Sequence, residues 1–131
     1  MEGLEEQQGR RFRAAWINGV QAHYPGTPKP GYIAPWEEMA SWEQLAASAV
    51  YSKVRALILA GQRQEPAMSL HPEQGGRYIS EAWNVQVYRH IEKPKPGYVA
   101  DWDGLPEWQR LTDMDIFKEI ETAVLQEVAQ V

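Results

Sequence analysis

One stretch of this chain occurs twice. Lys29-Pro30-Gly31-Tyr32-Ile33-Ala34-Pro35-Trp36 returns as Lys95-Pro96-Gly97-Tyr98-Val99-Ala100-Asp101-Trp102. Downstream of the loop, Trp42 matches Trp108, Leu45 matches Leu111, and Val50-Tyr51 matches Ile116-Phe117; Val54 then matches Ile120 and Ile58 matches Val124. Upstream, after a one-residue shift, Gly9-Arg10 matches Gly76-Arg77, Trp16 matches Trp83, Val20 matches Val87 and His23 matches His90. An ordered match of this length is the mark of an internal duplication, with repeats at 9–61 and 76–131. Whatever one copy folds into, the other folds into as well.

Each copy reads as two helices around the Pro-Gly loop. Phe12, Trp16 and Val20 recur every four residues, as do Ile79, Trp83, Val87 and Ile91, so each set lies on one helical face. Proline lacks an amide donor and glycine favours turns, so the Pro and Gly residues at 25–31 and 94–97 end these helices. A second helix is expected from about Ser41, where Ser41 and Gln44 have capping-box spacing. In the second copy, Pro106 suits the first helical turn, with Glu107 beside the positive end of the dipole. Val50, Val54, Leu57 and Ile58, and then Phe117, Ile120, Val124 and Val128, supply the apolar faces. Pro66, Pro72 and Gly75 mark 62–75 as an exposed linker with one short turn near Met68 to Leu70. One copy alone has too small a core to be stable. The expectation is therefore one all-α domain over 1–131, with two helix–loop–helix units packed about a pseudo-two-fold axis as a four-helix arrangement.

Composition narrows the classes of function. The chain has 131 residues, 44% hydrophobic and 24% charged, and no cysteine. Disulfides, thiolate catalysis and cysteine-based zinc sites are thereby excluded. A net charge of −5 makes a poor general binder of nucleic acid, because neutralising phosphates supplies most non-specific affinity. No apolar run approaches a membrane span, and the polar stretch from Met1 to Gln8 does not read as a signal peptide. A cytoplasmic protein is the default expectation. His23, His71 and His90 have no metal-ligand spacing, so neither a metal nor a cofactor is implied. No nucleophile elbow, P-loop or dinucleotide fingerprint occurs, and no catalytic residue is assigned.

The repeated loop carries the chemistry. Lys29 and Lys95 bring positive charge, and Tyr32, Trp36, Tyr98 and Trp102 bring flat faces. Arg10, Arg11, Arg13 and Arg77 lie at the starts of the preceding helices. Aromatic plates beside cations suit a nucleotide-like ligand: stacking for the base and charge for the phosphate. Arg10, Arg11, Lys29, Tyr32, Trp36, Arg77, Lys95, Tyr98 and Trp102 are thus the candidate ligand-binding set, and the function expected is a non-enzymatic small-ligand-binding module. The competing expectation is a structural or protein-interaction module, in which Tyr and Trp plug gaps between helices and also suit an interface. Mid-helix Trp16 and Trp83 are expected in the core. The apolar stripe from Phe117 to Val128 offers a surface for homo-oligomers.

The run from Lys95 to Asp113 resembles the end of the ryanodine-receptor repeat (RyR) domain. That pattern has Leu-Pro-Glu followed by a helix with an acidic residue six positions after the Glu, matched by Leu105, Pro106, Glu107 and Asp113. In the first copy Met39-Ala40-Ser41 replaces Leu-Pro-Glu, and Ala47 stands where Asp113 does. The general pattern is also similar to small uncharacterised actinobacterial and phage proteins. The resemblance implies a non-catalytic helical module of a kind suspected of sensing nucleotide-derived ligands in bacteria. It names no binding residue.

Overall fold

The computed structural model describes residues 3–130, and among them the regular structure is entirely helical. Helix α1 spans Leu4–His23 and α2 spans Ser41–Gln62; α3 spans Pro72–His90 and α4 spans Glu107–Ala129. Short 3-10 turns fill both repeated loops: Pro30–Ile33 and Trp36–Glu38 in the first, Pro96–Val99 and Trp102–Gly104 in the second. The same order of elements thus occurs twice. No described helix is long and apolar enough to cross a membrane.

The helix ends follow from local chemistry. Helix α1 stops before Pro25, and Gly26 takes a positive φ of 93°, a conformation that costs glycine little. Helix α3 closes with the Ile91 amide on the Val87 carbonyl at 2.8 Å, just before Pro94. Helix α2 does start at Ser41, but the cap is not the expected one. Ala40 is the N-cap, and the Glu43 carboxylate accepts from its amide at 3.4 Å. Gln44 reaches back instead to donate to the Trp36 carbonyl at 2.7 Å, which ties the loop to the helix. Pro106 likewise sits at the N-cap of α4, one position before the first turn.

The linker is shorter than its prolines and glycines suggest. Helix α3 begins at Pro72 and runs through Gly75 and Gly76, leaving 63–71 between the helices. Proline is well suited to the first helical position, where its missing amide would be unpaired anyway. The two glycines are buried inside the helix because bulky side chains press on its backbone there.

All four helices feed one core. Val20, Val50, Val54, Ile79, Val87, Ile116, Ile120 and Val124 are buried essentially completely. Burying each such side chain contributes about 1.5–3 kcal/mol. Helices α2 and α4 touch each other, and α1 and α3 each pack against both. The C-terminal stripe is used inside the chain: Phe117, Ile120 and Val124 are buried, and only Val128 of that row is exposed.

Candidate functional site

A cleft of about 490 Å³ opens where the two repeats meet. Its walls come from matched positions in the two copies: Trp16 and Trp83, Gly31 and Gly97, Tyr32 and Tyr98, Trp42 and Trp108. Four of the six tryptophans in the chain therefore line one space. Trp16 and Trp83 are half-buried at its walls, not sealed in the core as their helical spacing suggests.

The rings meet across the junction between repeats. Trp108 of α4 receives Trp16 edge-on at 5.9 Å, Tyr24 at 4.9 Å and Tyr32 at 5.7 Å. On the other side, Trp83 of α3 stacks on Phe12 at 5.9 Å and lies 6.3 Å from Trp42. Such pairs add about 0.5–1.5 kcal/mol each beyond the area they bury. Tyr98 has no ring partner among the described residues and is 55% exposed at the mouth.

The two loops are held unequally. In the first, the Arg13 guanidinium donates to the Ala34 carbonyl at 2.8 Å and 3.0 Å and to the Gly31 carbonyl at 3.1 Å. The Trp16 indole N–H adds a bond to the Tyr32 carbonyl at 2.8 Å. In the second, the Ala100 carbonyl, which matches that of Ala34, is held by Asn84 at 3.1 Å. The matched carbonyl is retained while the donor has changed.

Three charged side chains line the cleft: Arg13 from α1, Glu43 from α2 and Asp113 from α4. Partial burial lowers the pKa of Arg13, and the nearby Glu43 charge opposes that shift. Asp113 is 5% exposed and makes no hydrogen bond or ion pair among the described residues. Burial alone pushes its carboxyl well above the ordinary value of 3.8. The signal for this group was present in the sequence. Asp113 falls on the same face of α4 as Ile116, Phe117 and Ile120, and acidic residues are rarely buried on an apolar face.

The candidate set read from the sequence divides in two. Tyr32 and Tyr98 line the cleft. Trp36 and Trp102 do not; they are 8% and 6% exposed, each pressed against a helix. A Cβ on Gly9 would meet the Trp36 ring at 2.5 Å, and one on Gly76 would meet the Trp102 ring at 2.7 Å. Arg10 covers the Trp36 ring at 5.8 Å and donates to Glu37 at 2.7 Å, which holds the Glu37 carboxyl below its ordinary range. Arg77 covers Trp102 at 5.6 Å and lies 3.7 Å from Asp103. The repeated Gly-Arg and its matching Trp are therefore one packing device, and its arginines lie outside the cleft. Lys29, Lys95 and Arg11 are exposed and also lie outside it, with the Lys29 ammonium 5.8 Å from the Tyr32 ring. Sequence reasoning missed Asn84 and Asp113, and gave Arg13 no part in the binding set.

Among the described residues, no three His, Cys, Asp or Glu side chains gather as a metal site. No family model, no curated protein and no solved structure matches the chain.

Proposed function

We propose that this protein is a non-enzymatic binding module that holds one small organic molecule in the cleft between its repeats. One observation carries the reading: four tryptophans and two tyrosines, drawn from both copies, line a single space of about 490 Å³. That volume falls within the roughly 300–1,000 Å³ of small-molecule sites, which are mostly apolar with a few placed polar groups.

The phosphate half of the nucleotide expectation is not part of this reading. Lys29, Lys95, Arg10, Arg11 and Arg77 are not gathered at the cleft, and Arg13 is bound to backbone carbonyls. The aromatic half stays, since flat faces stack on any ring.

Tryptophan fluorescence and thermal shift against a panel of planar and aromatic compounds test the proposal. Saturable quenching with a raised melting temperature, weakened by Tyr98→Ala, is the expected result. A well-folded protein that responds to no member would overturn it and favour the protein-interaction reading.

A further inference from the structure

The charged groups of the cleft are unevenly occupied. Arg13 spends its N–H groups on the Gly31 and Ala34 carbonyls and faces Glu43. Glu43 accepts from the Ala40 amide at 3.4 Å. Asp113 remains, buried, lining the cleft and without a partner among the described residues. A buried carboxyl left unpaired is destabilising, and such groups in native proteins call for a specific explanation. Four indole rings line the same cleft, and their faces are electron-rich and attract cations. An anion would meet two carboxyls and one engaged guanidinium here, whereas a cation would meet its complement.

Resting on the reading of the cleft as a ligand site, we infer that its ligand is a protonated amine on an apolar body, with the ammonium seated on the Asp113 carboxylate and the body between the tryptophan rings. The ammonium supplies the hydrogen bonds that Asp113 lacks, and a charge-assisted bond of this kind is among the stronger ones. The first copy has Ala47 at the position matching Asp113, so the cleft has one such seat.

The seat has a proton signature. Burial keeps a proton on Asp113 to higher pH than usual. Entry of an ammonium ion onto the protonated carboxyl releases that proton to solvent and leaves an ion pair. Affinity therefore rises as pH climbs through the folded-state pKa of Asp113, with Arg13 on α1 and Glu43 on α2 as the other charged groups facing the cleft.

Isothermal titration of the full chain with phenethylammonium and with phenethyl alcohol, its neutral counterpart, tests the inference. Near neutral pH the amine is expected to bind at least about tenfold more tightly than the alcohol, the lower range for a hydrogen bond to a charged group. Asp113→Asn should remove that preference and Glu119→Gln, at an exposed position of α4 outside the cleft, should keep it, with circular dichroism confirming that both variants fold. Titration in buffers of differing ionisation enthalpy, repeated at a series of pH values, should show proton release for the amine only, at the pH values where Asp113 of the free protein still holds its proton. Equal binding of amine and alcohol would overturn the cation seat and leave the binding module standing. A preference that survives Asp113→Asn would also overturn it. A folded protein that takes neither compound at millimolar concentration would remove both readings.

Discussion

Tyr98 and Trp102 stand four residues apart in one loop and do different work. Trp102 is wedged between the Gly76 backbone and the Arg77 guanidinium, while Tyr98 projects at the cleft mouth. Trp102→Ala should cost about 3–5 kcal/mol in chemical denaturation, the range for truncating a buried aromatic. Tyr98→Ala should stay within about 0.5 kcal/mol of the parent, as exposed positions generally do. A loss of comparable size in both would place Tyr98 in the packing as well. Asp113 makes a prediction with a sign. In the unfolded chain its carboxyl ionises near 3.8, and in the folded chain at higher pH. Between the two values the native state holds a proton that the unfolded state has released, so stability falls as pH rises through that window. Asp113→Asn cannot ionise. Its melting temperature should exceed the parent's at about pH 8, and the difference should shrink toward about pH 4, near the ordinary carboxylate pKa. A constant difference across that range would show that Asp113 does not titrate as its burial requires. Pattern reading chooses Trp36 and Trp102 for the site, which are packed outside the cleft, and leaves out the four tryptophans that line it; it assigns Trp16 and Trp83 to the core, because a spacing of four marks a face and not what that face meets.

At the scale of elements, the helix existence and the α2 start at Ser41 are legible, because apolar spacing and Pro-Gly stops are local signals. The linker bounds are not. Pro72 and Gly75 read as breakers, yet Pro72 begins α3 and Gly75 lies beneath Phe117 of α4, a contact between residues far apart in sequence. The 3-10 turns are hidden for a similar reason: carbonyls within the loops are held by Arg13, Trp16, Gln44 and Asn84 from neighbouring helices. These bonds distinguish the two loops. The Tyr32 amide bonds the Lys29 carbonyl at 2.9 Å and the Tyr98 amide bonds that of Lys95 at the same distance, so the turns themselves are alike. Side-chain anchoring is heavier in the first loop. Hydrogen exchange should therefore be faster at Tyr98 than at Tyr32, since local opening follows the contacts that must be broken. Arg13→Ala should raise exchange at Tyr32 toward that of Tyr98. Equal rates in the parent protein would mean that the turn geometry, not the anchors, sets loop stability.

Among the described residues the helices of the two repeats pack on each other. Helix α1 packs on α4 of the other repeat as well as on its own α2, and α3 packs on α2 as well as on α4. The ring contacts of Trp16 with Trp108 and of Trp42 with Trp83 also cross between repeats. Peptides covering 1–66 and 67–131 should each be largely unfolded by circular dichroism, and mixing them should restore helicity. A half that folds by itself would contradict the shared core. That shared core shapes what the cleft can tell apart. Two separate copies of one unit would present the same groups on both walls of a common cleft, and any carboxyl there would appear twice. In this chain the matched positions differ: Glu43 aligns with Gln109, Arg13 with Ser80, and Asp113 with Ala47. On the proposed reading the opening thus has a head and a tail, and a guest with one charged end would enter it in a single orientation.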